Sequence, residues 1–302
     1  MRHLAPFSSL LLVSLAALSM TAGAATPIEQ TRPLDPQGRV EVENIKGRIQ
    51  VRGWNRPEVK ISGSLGDGVE KLVVEGDARH LVIKVKYPKG GGWGGKQSGS
   101  TDLQLTVPVR ADLEINSVSA NVDVSGVAPS TLSIESVSGD VYLAAAPAEV
   151  DVESVSGQLR LTVNSASVEA QTVSGDVQLR GRMNGEIKAE TVSGNIDVAV
   201  NDEHVRELSA STVSGNAKLR TALAPRGEIK LESVSGDLLL VLPKALSAQA
   251  SGESFSGELK APGARIQKPE HGPGSSFNAR YGAGEGEIRI ETFSGDGELR
   301  LQ

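Results

Sequence analysis

The sequence predicts an all-β protein: a single elongated β-solenoid or β-helix with 18–21 residues per rung and a less regular β cap at its N-terminal end. Two observations predict this fold. The first is a motif, Ser/Thr-Val/Phe-Ser-Gly followed by a polar residue, which occurs in eight full copies between Ser136 and Asp296. The second is the alternation of apolar and polar residues on both sides of each copy, which is typical of half-buried strands.

The spacing of the motif predicts stacked repeats. From Gly139 to Gly257 each glycine follows the previous one by 18 to 21 residues, and the last copy follows at Gly295 after 38 residues. An eroded copy has Ala120 at the glycine position, and Gly47 fits a degenerate first copy. A repeat this short cannot bury an apolar face alone, so successive repeats are expected to stack. The final step is twice 19, so one rung is expected to have lost its motif.

Each repeat contains two short strands, one on each side of the motif. In the first full copy Leu132 and Ile134 precede the motif and Val141 follows it. We interpret the motif's own apolar residue, Val137 in this copy, as a core residue that stacks inside the rod. The serine after it, Ser138, is expected to form a hydroxyl ladder that bonds along the stack or to the turn backbone.

The first 24 residues have the pattern of a signal peptide. Arg2 supplies a positive charge, an apolar run follows, and Ala22-Gly23-Ala24 forms a small-residue cleavage site. The apolar run is shorter than the roughly 20 residues that span a bilayer. We therefore expect an exported mature chain without a transmembrane segment. The periplasm is the favoured compartment, with the cell surface or the medium as alternatives.

The mature chain is expected to be one solenoid with local irregularities. Its predicted segments are an extended leader at 25–38 and the solenoid at 39–302, in which 39–110 form irregular N-terminal rungs or a cap, 111–302 form regular rungs, and a loop insertion lies near 261–286.

Composition argues against several classes of function. The net charge is −6, whereas nucleic-acid binding usually requires a basic face. The chain has no cysteine and therefore no disulfide. A nucleophilic serine needs a neighbouring base, but none of the four histidines recurs with the motif serines. The sequence predicts no catalytic residues, no cofactor and no enzymatic activity.

Two sets of residues are candidates for binding. Asp140, Asp176 and Asp237 each follow a motif glycine, at a position that is acidic in most copies. Calcium favours several oxygen ligands, so these residues are candidates for binding it. A solvated acidic face is the alternative reading of that position. Trp93 lies in a glycine-rich loop between Lys89 and Lys96, which makes these three residues candidates for contact with a partner. The alternative for Trp93 is that it folds back as a cap on the rod.

The combined pattern resembles a known family. An export signal leads into Gly-Arg-Val-Glu-Val-Glu-Asn-Ile-Lys-Gly-Arg-Ile-Gln-Val, then Leu-Gln-Leu-Thr-Val-Pro-Val, then the tandem Ser/Thr-Val-Ser-Gly-Asp-Val repeats. This is similar to the bacterial "putative adhesin" domain family, extracytoplasmic β-solenoids of unknown function. The resemblance covers roughly Arg39 to Leu301 and supplies no catalytic residues.

Three functional hypotheses follow. The first is a non-enzymatic cell-envelope protein, an adhesin-like interaction or scaffold module acting through its solenoid surface and loops. The second is a β-helix protein that binds or cleaves polysaccharide. The third is a module stabilised by calcium or by association with itself. The expected partner is an envelope protein or polysaccharide of unknown identity, or a second copy of the chain.

Overall fold

The computed structural model describes residues 26–88 and 98–302, and every regular element in these ranges is a β-strand. The all-β prediction is therefore confirmed. The strands are β1 (Thr26–Pro33), β2 (Arg39–Trp54), β3 (Glu58–Leu65), β4 (Lys71–Gly76), β5 (His80–Lys86), β6 (Thr101–Pro108), β7 (Asp112–Ser125), β8 (Thr131–Ser138), β9 (Val141–Ala145), β10 (Glu149–Ser156), β11 (Leu159–Ser174), β12 (Val177–Ser193), β13 (Ile196–Ser214), β14 (Ala217–Ser235), β15 (Leu238–Leu242), β16 (Ala248–Ser256), β17 (Leu259–Lys260), β18 (Ser275–Tyr281), β19 (Gly286–Ser294) and β20 (Gly297–Leu301).

Successive repeats stack as parallel strands in register. Val150 of β10 lies between Leu132 of β8 and Val168 of β11, and this one-to-one register continues along the stack. Each rung has two strands, separated by the motif glycine. The inward side chains of both strands are buried, and together they form one continuous apolar core. The solenoid prediction is confirmed by this parallel architecture.

The glycine corner has a steric cause. A Cβ atom placed on Gly215 would lie 1.8 Å from the carbonyl oxygen of Gly194, the corner glycine of the neighbouring rung. Gly236 stands in the same relation to Gly215, at 1.9 Å. Corners of these successive rungs therefore approach one another backbone to backbone, and a Cβ atom on Gly215 or Gly236 has no room.

Near the C-terminal end the rungs do not follow chain order. The end of β14 pairs with β19 and β15 pairs with β20, although both partners come last in the chain. On their other side β19 and β20 pair with β16 and β17. The rung formed by residues 286–301 is thus inserted between the rungs at 228–242 and 248–260.

The N-terminal end has the same kind of insertion. β2 pairs with β7 on one side and with β5 and β6 on the other, always in parallel. The first long strand of the solenoid therefore lies between two rungs that follow it in sequence. Gly47 stands beside Ala120, as expected for a degenerate first copy of the motif.

Antiparallel strands cover the two terminal rungs. β4 pairs with β5, β3 pairs with β6, and β1 pairs with β3, so part of the expected leader at 25–38 is a strand of the fold. At the other end β18 pairs with β16. The interval 261–286 was expected to hold a loop and a poorly marked parallel rung. Instead of a further rung it contributes β18, an antiparallel strand that covers the rung at 248–260.

A single large side chain closes the core at this end. Phe277 of β18 is fully buried, and its ring lies where a side chain on Gly252 of β16 would be, 2.1 Å from the position of a Cβ atom. Gly252 occupies an inward position of its strand. Its missing side chain makes room for the aromatic ring of the cap.

Candidate functional site: an exposed apolar ridge and its groove

The valine and phenylalanine of the motif face solvent, so the prediction that they fill the core was wrong. Val137 is 48% exposed and Phe293 is 56% exposed. The reason is the two-residue period of a strand. Leu132 and Ile134 face inward, so the next inward position is Ser136, and Val137 must face outward.

These side chains form one straight row. Of the eleven large hydrophobic side chains exposed in residues 26–88 and 98–302, ten belong to it. The rungs are about 4.8 Å apart, so nine steps make a row roughly 43 Å long. The rings of Phe255 and Phe293 stack with centroids 4.7 Å apart, which confirms that the last two members are adjacent. We call this row the ridge; in spatial order it comprises Ile45, Val118, Val137, Val155, Val173, Val192, Val213, Val234, Phe293 and Phe255.

A groove of about 1850 Å³ runs along the ridge. Its other side is lined by the outward residues two positions before each ridge residue, and we call these the acidic column. Seven of its ten members are glutamates, so the groove joins an aliphatic side to a negatively charged one. In the same spatial order the acidic column comprises Glu43, Asn116, Glu135, Glu153, Gln171, Glu190, Ser211, Glu232, Glu291 and Glu253.

A buried column of hydroxyls lies beside the ridge, in a different column from the one expected, but it is not a continuous hydrogen-bonded ladder. Within the described part of the chain, no hydrogen-bond partner is present for the hydroxyls of Ser136, Ser154, Thr172, Ser233 and Thr292. The residue before each ridge residue is a buried serine or threonine in every rung from Ser117 onward. Thr191 Oγ1 donates a hydrogen bond to the carbonyl of Gly175 at 3.2 Å, and Ser254 Oγ donates to the carbonyl of Gly295 at 3.3 Å. These bonds join a strand to the corner of the adjacent rung.

The serines after the ridge residues, which were expected to form that ladder, are exposed instead. We call them the serine column: Ser119, Ser138, Ser156, Ser174, Ser193, Ser214, Ser235, Ser294 and Ser256. In the described part of the chain only Ser119 of this column donates a hydrogen bond, to the carbonyl of Ile45 at 3.2 Å. The ridge is therefore flanked by carboxylates on one side and by hydroxyls on the other.

The three calcium candidates each bond to the backbone of the next rung. Asp140 Oδ1 accepts the N–H of Gln158 at 3.0 Å, and Asp176 Oδ1 accepts the N–H of Asn195 at 2.8 Å. Asp237 Oδ1 accepts the N–H of Asp296 at 2.9 Å. Residues 26–88 and 98–302 contain no group of three or more His, Cys, Asp or Glu side chains that could hold a metal ion. Calcium binding stays a prediction.

Charge is unevenly balanced beside the groove. Toward the C-terminal end basic residues offset the glutamates: Lys188 Nζ lies 3.4 Å from Glu190, and Lys230 Nζ lies 2.8 Å from Glu232. At the N-terminal end Lys84 pairs with Glu43, but between the two ends Asp151 occupies the position equivalent to Lys188. Burial raises the pKa of Asp151, and the nearby carboxylate of Glu153 raises it further. This part of the face is the more strongly acidic one.

The predicted contact residues Lys89, Trp93 and Lys96 lie outside the described residues. Apolar character alone predicts burial, and the ridge is the place where that prediction fails. The signal that could have found it was in the sequence: the motif's apolar residue is an odd number of positions from Leu132 and Ile134. Strand alternation alone places it on the outer face.

The chain is thus a capped parallel β-solenoid with a linear apolar surface feature. It belongs to the Toastrack DUF4097 family, whose model matches residues 49–225. The expected relationship to bacterial "putative adhesin" proteins is confirmed. No curated protein matches the chain. Within the ranges given above, no helix is long and apolar enough to cross a membrane.

The chain is similar to several solved structures. A "putative adhesin" from Parabacteroides distasonis is 12% identical, with 91% of this chain and 98% of that chain covered and a TM-score of 0.51. A "putative adhesin" from Bacteroides fragilis is 13% identical, with 92% and 98% covered and a TM-score of 0.40. A "putative lipid binding protein" from Parabacteroides distasonis is 14% identical, with 92% and 97% covered and a TM-score of 0.33.

Proposed function

We propose that this chain is a non-enzymatic, exported module of the cell envelope that makes adhesin-like or scaffolding contacts through the face that carries the ridge. The observation that carries the proposal is the ridge itself. An exposed apolar feature that runs the length of a soluble domain marks an interaction surface. The ridge position is apolar in all ten rungs that carry the motif or one of its degenerate copies, although it faces solvent.

Comparison with a neighbouring outward position supports this reading. Four residues before the ridge, successive rungs carry Ser133, Asp151, Glu169, Lys188 and Ser209. Their chemistry changes from rung to rung, as expected for a surface that only has to stay solvated. The ridge position stays apolar in rung after rung, which solvation alone would not require. We therefore assign it a role in contact with a partner.

The proposal is tested by removing the apolar character of the ridge without changing side-chain shape. Val155, Val173 and Val192 are each replaced by threonine, which is nearly isosteric and also favours strands. A control carries threonine at Tyr142, Gln178 and Lys218, which lie on the second strand of the rungs. Labelled chains are then bound to envelope fragments of a bacterium that carries this protein.

The wild type and the control are expected to bind equally. The ridge variant is expected to bind at least about tenfold more weakly, because it lacks the apolar surface that the three valines would bury against a partner. Equal binding by all three chains would overturn the proposal. A polysaccharide panel completes the test, because turnover of any member would show that the chain is an enzyme.

A further inference from the structure

We propose that the groove accommodates the ridge of a second copy of this chain, so that two solenoids pair side by side and point in the same direction. This inference deepens the proposed function by naming the partner of the same face. It follows from three properties of that face: its repeat distance, its symmetry and its charge.

The repeat distance selects a partner with the same rungs. Ridge residues recur about every 4.8 Å. An extended peptide presents side chains on one face about every 6.6 Å, so it falls out of step within a few rungs. A second copy has the same spacing by construction and matches at every rung. In-register rows of aliphatic side chains with identical spacing pack as dry, interdigitated interfaces.

The groove gives the second ridge a place to lie. Along each strand the ridge residue and the member of the acidic column are two positions apart, about 6.6 Å. In one rung these are Val155 and Glu153, with the buried Ser154 between them. A two-fold axis parallel to the rod, placed midway between the two grooves, sets each ridge into the groove of the other copy. Both grooves are then filled by the same operation.

Charge selects the parallel arrangement over the antiparallel one. A two-fold axis along the rod reverses the order of the columns, so the acidic column of each copy faces the serine column of the other. Glu153 then meets exposed serine hydroxyls, which can donate to its carboxylate. A two-fold axis parallel to the strands, and therefore perpendicular to the rod, leaves the column order unchanged and places the acidic columns opposite each other. Seven glutamates per copy would then be brought together, which is unfavourable.

The C-terminal end of the groove limits the pairing. Lys268 and Pro269 line the groove together with Phe255, so the second ridge cannot lie along the last rung without displacing them. Pairing is therefore expected along the rungs from Val118 to Val234. The antiparallel strands that cap the two ends of the solenoid take no part in this pairing.

The first test measures association. Sedimentation of the wild type and of the Tyr142, Gln178 and Lys218 control is expected to show dimers. The variant with threonine at Val155, Val173 and Val192 is expected to be monomeric at the same concentration, with dimerisation at least tenfold weaker. A monomeric wild type would overturn the inference, and so would an equally dimeric ridge variant. Thermal melting shows that the ridge variant is folded.

The second test measures direction. The chain has no cysteine, so a single introduced thiol reports on one position. Val137→Cys and Val213→Cys, lying toward opposite ends of the paired rungs, are each oxidised alone and as a mixture. Parallel pairing predicts that each variant forms disulfide-linked dimers on its own. Dimers that form only in the mixture would show antiparallel pairing and overturn the proposal.

Failure of this inference can be told apart from failure of the proposed function. A monomeric wild type that still binds envelope fragments through its ridge would keep the proposed function and remove the second copy as the partner. A chain that neither associates with itself nor binds through its ridge would remove both.

Discussion

The middle of the solenoid and its ends are built from similar strands, but they are connected in different ways. From the rung at 131–145 to the rung at 207–220, each rung pairs with the rungs before and after it in the chain. At each end one rung is inserted out of order: β2 between β5–β6 and β7, and β19–β20 between β14–β15 and β16–β17. The middle is held by neighbours in sequence, whereas the ends are held by distant segments.

This difference shows how a repeat protein can protect its open ends. An uncapped solenoid exposes unpaired strand edges that invite association. Here antiparallel strands cover the terminal rungs, and each inserted rung ties its cap to the regular stack. Removing a rung from the middle should therefore cost far less than removing an inserted one.

The largest expected effect follows from deleting residues 286–302. The deletion removes the buried Ile288, Ile290 and Leu299 and separates the rung at 248–260 from the stack. Since each large aliphatic core residue contributes about 2–5 kcal/mol, we expect a loss above about 5 kcal/mol, measured by urea unfolding.

The matched comparison is an in-frame deletion of residues 158–175, one full rung from the middle. It joins Gly157 to Asp176 and restores an uninterrupted motif. Because the remaining rungs can stack as before, its loss of stability is expected to be less than half that of the C-terminal deletion. Equal losses would contradict the distinction between middle and ends.

A smaller effect is expected at the rung corners. Gly215→Ala places a Cβ atom 1.8 Å from the carbonyl of Gly194, so the stack must open locally, at a cost of about 1–3 kcal/mol. Gly263→Ala is the control, because nothing lies within 4 Å of its Cβ position and only its φ of +71° opposes the change. The control is expected to cost about 1 kcal/mol. Denaturation midpoints that rank the two variants the other way would refute the steric account.

The next effect concerns the polar column after the glycines. Asn216 Oδ1 accepts the N–H of Asp237 at 2.8 Å, which links two rungs. Asn216→Ala is expected to destabilise the protein by about 1 kcal/mol, because that N–H loses its partner. Asp197→Ala, on an outward position of a nearby strand, is expected to change stability by less than about 0.5 kcal/mol. Thermal melting distinguishes the two.

The smallest effect is a gain. The pKa of Asp151 is raised in the folded state, mainly by burial and then by neighbouring carboxylates. The folded protein therefore binds this proton more tightly than the unfolded chain does. Ionisation of Asp151 destabilises the fold at pH 7, and the cost disappears as the pH falls through the raised pKa.

Asp151→Asn is accordingly expected to raise the melting temperature at pH 7, with the gain shrinking as the solution is made acidic. Asp202→Asn, at an exposed position of β13 where φ is +54°, serves as the control and is expected to change little at either pH. A gain that is the same at neutral and acidic pH would show that the carboxylate charge is not its cause.

Much of the architecture could be predicted from sequence because the motif and the strand period are local signals. The all-β class, the stacking of rungs and the place of Gly47 in the first motif copy all follow from spacing. The insertion of residues 286–301 could not be predicted, because every copy of the motif looks alike and spacing cannot say which rung lies beside which. Phe277 shows the same limit, since its burial depends on the absence of a side chain on Gly252.

The candidate site was predictable in part. The ridge residues are recognisable in the sequence as one column, but their apolar character predicts a position inside the rod. Parity with Leu132 and Ile134 would have placed them outside. The glutamates of the acidic column also recur in the sequence, four residues before the motif glycine, whereas the groove between the two columns depends on which rungs are adjacent.

The inserted rung also determines how the molecule would bear a load. Anything attached beyond Gln302 pulls on β20, which is hydrogen-bonded to β15 on one side and to β17 on the other. A strand at a free edge peels off by breaking one ladder at a time. Residues 299–301 would first separate from β15 alone, and Gly297 and Glu298 would then have to part from both β15 and β17, so tension at this end enters the stack through the inserted rung.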